Sequence, residues 1–469
     1  MDKFKEKCGV FGIYNINKKS KEEIPYIIYY GLYSLQHRGQ ESAGITITDG
    51  TNFSTHKGMG LVNEVFNINN LSQLEGFAGI GHVRYSTTGE SSVLNAQPFV
   101  VNSKLGNIAI AHNGNLVNSI VLKELLEDSG ITFQTTSDSE VILSLIARSA
   151  KYGFDKAILD AISAIKGSFA LLILFNDKLV AVRDPNGIRP LCYGIKDEYI
   201  VFASESCSLD TVGAKFVRDL NPGEILICDG KDLKSINFSE RTKKSICIFE
   251  YIYFARPDST IDGYNVYKSR IDAGILLHKN YPVDADLVCG VPDSGIPAAI
   301  GFSKASGIPY ELALIKNKYI GRTFINPSFE LRKKAVSVKL NPLKEIIKNK
   351  RIVIIDDSIV RGTTGNQLTK IIKDAGAKEV HFRIASPVVR FPCYFGINIA
   401  SRKELIGSEK VTIGDIKKKL GADSVGYLTV EQLLSIFGNK NDFCLGCFTG
   451  EYPISAPYEE LDKELEKKV

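Results

Sequence analysis

The chain has 469 residues, of which 44% are hydrophobic and 24% charged, and its net charge is +5. This length predicts two or three domains with ample core, and the composition is ordinary for a soluble globular protein. The mild positive charge is compatible with anionic small-molecule substrates. It predicts no nucleic-acid binding, which needs a focused basic patch. No apolar run in the sequence reaches the length of a membrane span, so no membrane partner is expected.

The cysteine content predicts a reducing, cytoplasmic environment rather than a disulfide framework. There are nine cysteines, an odd number, in a long chain. Five of the first seven residues are charged, whereas a secretory signal needs an apolar core. Isolated cysteines in apolar stretches are usually small buried hydrophobic residues. We interpret Cys192, Cys207, Cys228 and Cys289 in this way.

The first half of the chain is predicted to be rich in β-strands, with two helices. Apolar residues from Ile24 to Leu35 follow helical spacing. The segment TSDSE, which ends at Glu140, is typical of a capping box that opens a second helix. Short apolar or alternating runs predict strands at 8–16, 41–48, 76–86, 106–112, 168–175, 178–183, 199–203 and 224–228.

The second half alternates strands with helices, which predicts a parallel, doubly wound sheet. The polar segment 231–245 separates the halves. We therefore predict a short leader at 1–7 and domains at 8–235 and 246–469. Predicted strands cover 286–290, 351–355 and 379–385, predicted helices cover 261–279, 295–306 and 363–375, and 414–438 is expected to be largely helical.

The strongest single motif is RIVIIDDSIVRGTTG, residues 351–365. A buried strand ends in Asp356 and Asp357, at the edge where open α/β sheets bind ligands. A turn containing Arg361 then opens a helix near Thr363, whose backbone amides can bind a phosphate. Carboxylates bind ribose hydroxyls or Mg²⁺, so this arrangement suits a sugar phosphate. An Asp pair on its own would be an ordinary strand end.

This string resembles the phosphoribosyl pyrophosphate (PRPP) motif of type I phosphoribosyltransferases. The resemblance implies that GVPDSGIPAA (290–299) is a pyrophosphate and metal loop. It also implies that KNKYIGRTFI (316–325), by composition a solvated basic loop, closes over PRPP and excludes water. The implied PRPP-binding residues are Asp293, Ser294, Lys316, Tyr319, Arg322, Asp356, Asp357, Ser358, Arg361, Gly362, Thr363 and Thr364. The implied Mg²⁺ ligands are Ser294, Asp356 and Asp357.

Three segments of the first half carry polar groups that can hold an amino acid. Arg84 offers a forked donor for a carboxylate at a predicted strand end. Asn113 and Gly114 offer amides at a turn for an oxyanion hole, and Asp138 offers a carboxylate for an ammonium group. Taken singly, these features favour purely structural interpretations. Arg84 would form a surface ion pair, Asn113 and Gly114 a hairpin turn, and Asp138 part of a helix cap.

Together, CGVFGI, SLQHRGQESAGI, GHVRYSTTG, HNGNL and TSDSE resemble the N-terminal-nucleophile glutamine amidotransferases, in that family's order. The resemblance implies an αββα fold and a mature chain that begins at Cys8, whose own α-amino group is the base. Residues 1–7 would then be a propeptide, because an amide nitrogen is not a base. The implied catalytic residues are Cys8, Asn113 and Gly114, and the implied glutamine-binding residues are Arg84, Thr87 and Asp138. A cysteine-protease dyad or a metal site on His37, His82 or His112 is disfavoured because these residues are dispersed.

The C-x-x-C at Cys444 and Cys447 leaves several functions open. It can be a redox pair, half a zinc site or two structural thiols. Cys247 and Cys393 are the candidates that would complete four thiolates. Four thiolates suit either zinc or an iron–sulfur cluster, and ligand count alone does not decide between them.

From residue 8 to about residue 451, the chain resembles the glutamine PRPP amidotransferase family, in the branch with a leader and a [4Fe–4S] cluster. The family implies that ammonia from glutamine reacts with PRPP to give 5-phosphoribosylamine, glutamate and pyrophosphate, at the first step of purine synthesis. It also implies Mg²⁺, a homotetramer, allosteric inhibition by purine nucleotides, and cluster ligands Cys247, Cys393, Cys444 and Cys447. The alternatives are a glutaminase that feeds another acceptor and a PRPP-sensing regulator without catalysis.

Overall fold

The structure is a computed structural model that describes residues 8–85, 92–239, 242–317, 340–397, 405–408 and 411–455. The predicted leader and the predicted ligands Thr87, Tyr319 and Arg322 lie outside these residues. Within the described ranges, no helix is long and apolar enough to cross a membrane.

The first domain consists of two antiparallel sheets with helices on their outer faces. Its strands are β1 (Gly9–Asn15), β2 (Ser42–Thr48), β3 (Phe53–Met59), β4 (Ala78–Arg84), β5 (Phe99–Ser103), β6 (Gly106–Leu116), β7 (Gly167–Phe175), β8 (Leu179–Arg183), β9 (Cys192–Lys196), β10 (Tyr199–Ala203), β11 (Lys215–Asp219), β12 (Glu224–Cys228) and β13 (Leu233–Asn237). Its α-helices in the described residues are α1 (Ile24–Ser34), α2 (Val62–Val65), α3 (Ile68–Leu71), α4 (Ser119–Asp128), α5 (Asp138–Ser149), α6 (Phe154–Ala164) and α7 (Ser206–Val212).

Strand β1 explains why this domain has four layers. Successive side chains of a strand point to opposite faces. Phe11 and Ile13 therefore pack into the core beneath α1, whereas Val10 and Tyr14 pack into the core between the two sheets. Helices α5 and α6 cover the far side of the second sheet. The described strands run β11-β9-β10-β1-β4-β2-β3 in one sheet and β13-β12-β8-β7-β6-β5 in the other, which confirms the predicted αββα class.

Three sequence predictions in this domain are corrected. Asn113 and Gly114 lie within β6, opposite Ala170 and Phe169 of β7, and not in a turn after the strand. The capping box is not formed, because the Glu140 carboxylate accepts from amides that precede the helix. Strand β13 pairs with β12 inside the segment predicted as a linker, so the first domain extends past residue 235.

The second domain is built on a parallel sheet. Its strands are β14 (Ile246–Cys247), β15 (Thr260–Ile261), β16 (Tyr264–Asn265), β17 (Leu287–Gly290), β18 (Leu314–Lys316), β19 (Leu340–Pro342), β20 (Arg351–Asp356), β21 (Glu379–Ile384), β22 (Ser424–Tyr427) and β23 (Phe443–Cys444). Its α-helices in the described part are α8 (Val266–Asn280), α9 (Ile296–Ser306), α10 (Lys344–Ile347), α11 (Thr363–Asp374), α12 (Ile413–Leu420), α13 (Val430–Ser435) and α14 (Gly446–Thr449), and a π-helical turn spans Glu250–Phe254.

The predicted doubly wound sheet is confirmed. Among the described strands, the parallel order is β17-β20-β21-β22, and the side chains of β20 alternate between two cores. Val353 and Ile355 pack with α8 and α9, whereas Ile352 and Ile354 pack with α11 and α12.

Two predictions in the second domain are corrected. The helix expected from 261 begins at Val266, because Asp262 and Gly263 adopt positive φ and form the turn of a β15–β16 hairpin. The segment expected to be largely helical contains β22, which pairs with β21 as the fourth parallel strand.

Candidate active site

The register of the first sheet places Cys8 beside the end of β4. Gly9 lies opposite Val83, so Cys8 reaches the end that carries Arg84. The thiol is half-buried, with Sγ 3.8 Å from the Tyr85 carbonyl oxygen. The backbone carbonyl of Cys8 accepts a hydrogen bond of 3.1 Å from Arg38 Nε. A partly exposed thiol on a fixed backbone can act as a nucleophile.

Arg84 forms a buried ion pair. Its Nη1 lies 2.5 Å from Glu41 Oε1, and its side chain is 4% exposed. The alternative interpretation of Arg84 as part of a surface ion pair is therefore wrong, because the ion pair is buried. Sequence reasoning missed Glu41, because only the pairing of β2 with β4 brings the two residues together. A glutamine carboxylate bound here would share the guanidinium with Glu41.

Asn113 and Gly114 have features that an oxyanion hole requires. The Asn113 side chain is buried, and its Nδ2 has no hydrogen-bond partner in the described residues. An unsatisfied buried donor is costly, and an oxyanion would satisfy it. Gly114 has a φ of +157°, and a Cβ at this position would lie 2.0 Å from the carbonyl oxygen of Ser168. Only glycine fits here.

Asp138 carries the charge that an α-ammonium group needs. Its Oδ2 accepts a 2.9 Å hydrogen bond from the Leu116 amide, and its Oδ1 lies 3.6 Å from His112 Nδ1. Burial opposes ionisation, but His112 and these hydrogen bonds lower the pKa of Asp138 below its usual value. The N-cap of α5 is Ser137, so capping does not explain Asp138.

The histidines considered in the sequence analysis have structural partners. Burial lowers the pKa of His82 to about 3, which keeps it neutral, and its Nε2 lies 3.0 Å from the His112 carbonyl oxygen. His112 Nδ1 lies 2.9 Å from Ser139 Oγ, and His37 Nε2 lies 2.7 Å from Glu205.

The predicted PRPP residues of two adjacent strands meet at the carboxyl edge of the parallel sheet. Gly290 lies opposite Ile355, which brings the loop after β17 beside the Asp pair after β20. Ser294 Oγ donates to Asp357 Oδ2 at 2.5 Å, and Ser358 Oγ donates to Asp357 Oδ1 at 2.6 Å. The backbone amide of Asp357 donates to Asp356 Oδ1 at 2.9 Å, and both aspartates are buried.

The predicted phosphate-binding turn ends at the N-terminus of α11. Gly362 is the N-cap with a φ of +82°, and a Cβ there would lie 2.4 Å from Ile406 Cδ1. Thr363 is exposed, while Thr364 and Arg361 are half-buried, so the first helical turn faces the surface. This orientation makes the amides of α11 accessible to an anion.

One ligand of the predicted pyrophosphate loop forms an ion pair with the predicted closing loop. Lys316 Nζ contacts Asp293 Oδ2. Asp293 is 70% exposed, so this pair is screened by solvent and can exchange for a bound ligand. Tyr319 and Arg322 belong to the part of this loop that lies outside the described residues.

A partly open cavity lies beside the predicted PRPP residues. Its lining includes Ser294, Asp357 and Tyr251 of the π-helical turn, together with Arg270 of α8. Burial lowers the pKa of Arg270 to about 10, and Asp357 acts in the opposite direction. Sequence reasoning missed Arg270, since nothing in its helical context distinguishes it from a solvated charge.

Tyr427 of β22 is a further residue that sequence reasoning missed. Its hydroxyl is buried and has no hydrogen-bond partner in the described residues. Burial and the charge of Asp356 raise the pKa of Tyr427 above its usual value. The hydroxyl is therefore a neutral donor beside the Asp pair.

The four cysteines predicted to act together are close in space. Cys247 of β14 lies opposite Cys444 of β23, and Cys393 Sγ accepts from the Phe395 amide at 3.4 Å. Burial raises the pKa of Cys447 well above its usual value, and the charges of the other three cysteines raise it further. No three His, Cys, Asp or Glu side chains of the described residues are arranged to hold a metal ion. The donor set fits a thiolate-ligated cluster chemically, but binding one requires deprotonation and reorientation of the side chains.

The segment that follows Cys393 contacts strands of the predicted glutamine site. Asn115, next to Gly114, donates from Nδ2 to the Tyr394 carbonyl at 2.9 Å. Ser168 Oγ donates to the Phe395 carbonyl, also at 2.9 Å. The segment after Cys393 therefore packs directly on the strands that carry the oxyanion residues.

The fold and the two sites define a glutamine amidotransferase of the N-terminal-nucleophile type, joined to a domain of the phosphoribosyltransferase type. The family model described as a glutamine amidotransferase domain matches residues 82–211. An amidophosphoribosyltransferase of Methanocaldococcus jannaschii is 50% identical over 97% of this chain and 99% of the relative. One of Bacillus subtilis is 48% identical over 96% of this chain and 94% of the relative. The chain belongs to the amidophosphoribosyltransferase family, and the predicted family and enzyme class are confirmed.

A solved structure supports the same assignment. It is described as glutamine PRPP amidotransferase from Bacillus subtilis complexed with ADP and GMP. It is 47% identical, has a TM-score of 0.90, and the match covers 97% of this chain and 98% of that chain. A second structure with the same TM-score, 0.90, is described as the allosteric regulatory enzyme of purine biosynthesis. The predicted two-domain fold is therefore confirmed over nearly the whole chain.

Proposed function

We propose that this protein hydrolyses glutamine at Cys8 and transfers the ammonia internally to PRPP held at Asp356 and Asp357. The products are 5-phosphoribosylamine, glutamate and pyrophosphate, at the first step of purine synthesis. The observation that carries the proposal is the presence of both sites in one chain. A half-buried cysteine lies beside a buried arginine in one domain, and an Asp pair precedes a phosphate-binding helix in the other.

In the glutaminase half-reaction, Cys8 Sγ attacks the side-chain carbonyl carbon of glutamine. The thiol proton passes to the α-amino group of Cys8, which then protonates the leaving ammonia. Asn113 Nδ2 and the Gly114 amide stabilise the oxyanion. Water hydrolyses the thioester to glutamate, while Arg84 and Asp138 hold the α-carboxylate and α-ammonium groups.

This mechanism requires a free α-amino group on Cys8. Residues 1–7 are therefore proposed to be a propeptide that is removed before the enzyme becomes active. An amide nitrogen between Lys7 and Cys8 has no available lone pair for proton transfer.

In the transfer half-reaction, ammonia attacks C1 of PRPP and pyrophosphate leaves. The cavity between the π-helical turn and Asp357 is proposed as the end of the internal ammonia path. Asp357 and Ser294 orient the ribose and pyrophosphate, and the amides of α11 hold the 5′-phosphate. Mg²⁺ would be held by Asp356, Asp357 and Ser294, where it would neutralise charge on the leaving pyrophosphate. Closure of 316–325 would exclude water.

Regulation and assembly are carried over from the relatives as proposals. The Bacillus subtilis structure is described with ADP and GMP bound. We therefore propose that purine nucleotides inhibit this protein as well. A homotetramer and a cytoplasmic location are proposed on the family resemblance.

An activity assay tests the proposal directly. Purified protein with glutamine and PRPP should release glutamate and pyrophosphate in equal amounts, and fructose 6-phosphate should not replace PRPP. Absence of pyrophosphate release would contradict the proposal. Binding of PRPP without turnover would instead favour the regulator considered above.

We also propose that Cys247, Cys393, Cys444 and Cys447 bind a [4Fe–4S] cluster with a structural or oxygen-sensing role. Anaerobically purified protein should contain about four iron and four sulfide per chain. Cys444→Ala should lose both, because one ligand is missing. Cys228→Ala, which removes a buried thiol elsewhere, should keep both. Colourless, iron-free parent protein, or zinc in place of iron, would contradict the cluster.

A further inference from the structure

Four buried charged side chains connect the two domains next to Cys8. Arg38, Glu205 and Arg189 come from the first domain, and Glu250 comes from the second. Each is at most 1% exposed. The two arginines and two glutamates balance in charge, so the group can stay ionised in the interior.

Arg38 is the centre of this group. Its Nη2 lies 3.0 and 3.2 Å from the two carboxylate oxygens of Glu250, and its Nη1 contacts Glu205. Burial opposes the charge, but Glu250 and Glu205 raise the pKa of Arg38 above its usual value. The remaining donor, Nε, binds the Cys8 carbonyl at 3.1 Å. Nη1 also lies 3.2 Å from Glu250 Oε2, so Glu250 contacts both terminal nitrogens of the guanidinium, while Nε contacts Cys8.

The contact with Cys8 is made possible by the residue that follows it. A Cβ at Gly9 would lie 2.9 Å from Val83 Cγ2 and 3.2 Å from the Cβ of Leu35, the residue that follows α1. Glycine therefore allows the residues after α1 to approach the nucleophile's backbone. A shift of Arg38 would be transmitted to Cys8 through a single hydrogen bond.

Glu250 also belongs to the element that borders the PRPP site. It is the first residue of the π-helical turn, and the same turn supplies Tyr251 to the cavity beside Asp357. Arg270 holds the far side of the turn by donating to the Tyr251 and Ala255 carbonyls at 2.7 and 2.8 Å. The turn is therefore held by an arginine from each side.

A second ion pair between the domains involves neither Arg38 nor Glu250, and it meets the buried group only through the backbone carbonyl of Arg189 in the hydrogen bonds of Arg183. Arg183 Nη2 lies 2.7 Å from Asp262 Oδ2, and both side chains are buried. The other contacts of Arg183 are to the backbone carbonyls of Gly187, Arg189 and Leu220. This pair serves as a matched control for the role of Glu250.

We propose that Glu250 is a positioning residue for the glutamine reaction. Through Arg38, this side chain of the second domain fixes the Cys8 backbone and with it the thiol and α-amino group. Buried ion pairs contribute little net stability, so the pair is explained better by orientation than by stability. The inference rests on the proposed glutaminase function and adds a residue of the PRPP-binding domain to it.

The test compares Glu250→Gln with Asp262→Asn in the full chain. Glutamine-dependent and ammonia-dependent synthesis are measured for each variant, together with KM for glutamine and the unfolding midpoint. For Glu250→Gln, we expect the ratio of glutamine-dependent to ammonia-dependent kcat to fall at least about tenfold, with KM for glutamine within about twofold. Asp262→Asn should leave this ratio unchanged.

Alkylation of Cys8 by an electrophilic glutamine analogue gives a readout that requires no PRPP. Its rate should fall in Glu250→Gln and not in Asp262→Asn. The double variant Glu250→Gln with Arg38→Gln should lose no more glutamine-dependent activity than Arg38→Gln alone, because both changes break the same connection to Cys8.

Three results would overturn the proposal. They are an unchanged ratio in folded Glu250→Gln, an equal fall of the ratio in Asp262→Asn, and additive losses in the double variant. If Glu250→Gln does not fold, Glu250→Asp replaces it. A partial fall of the ratio is then expected, and an unchanged ratio would count against the proposal. Failure of the parent protein to use glutamine and PRPP would overturn the proposed function instead.

Discussion

Cys8→Ser is expected to lower glutamine-dependent synthesis at least about 10³-fold while ammonia-dependent synthesis continues. A serine hydroxyl is a much weaker nucleophile than a thiol at neutral pH, and the α-amino base is matched to the thiol. The predicted PRPP residues lie in the other domain, where Ser294 and Ser358 donate to Asp357. Steady-state assays with glutamine and with ammonium salts, both in the presence of PRPP, measure the two rates.

Cys192→Ser is the matched control for this change. Cys192 is a buried cysteine of the same domain whose Sγ donates to the Ala203 carbonyl at 3.3 Å. This variant should keep both activities. Loss of both activities in Cys8→Ser would indicate a role in folding or processing instead of nucleophilic attack. The intact mass of the active parent protein should equal that of residues 8–469. Full glutaminase activity in protein that retains residues 1–7 would overturn the proposal that they are a propeptide.

Asp357→Asn is expected to lower both glutamine-dependent and ammonia-dependent synthesis at least about 10²-fold. The two carboxylate oxygens of Asp357 accept hydrogen bonds from Ser294 and Ser358 at 2.5 and 2.6 Å. An amide cannot accept at both positions, and it removes a negative charge proposed to bind ribose or Mg²⁺. Pyrophosphate release with either nitrogen source measures the effect.

The Cys8 site provides an internal check on this variant. Alkylation of Cys8 by a glutamine analogue in the absence of PRPP should proceed at the parent rate in Asp357→Asn. Asp374→Asn, an exposed change at the last residue of α11, should leave both syntheses unchanged. Normal turnover in Asp357→Asn would exclude this edge of the sheet as the PRPP site.

Short-range patterns predicted most of the second domain. The strand, the Asp pair, the turn and helix α11 occur within fifteen consecutive residues, so their relative placement follows from local backbone geometry. The failures have local causes as well. Asn113 and Gly114 read as a turn because Asn-Gly favours one, but pairing with β7 keeps them in the strand. The segment 414–438 is predicted to be largely helical because helical segments flank β22, a strand that only the neighbouring β21 stabilises.

By itself, the sequence determined which chemistry each half carries, because a nucleophile, an Asp pair and a C-x-x-C require particular residue types at short spacing. Tertiary structure alone decided which charges meet. Glu250 reaches Arg38 across 212 residues, and Glu41 reaches Arg84 across 43. Such contacts depend on sheet register and on how the two domains pack, and no short-range pattern encodes either of them.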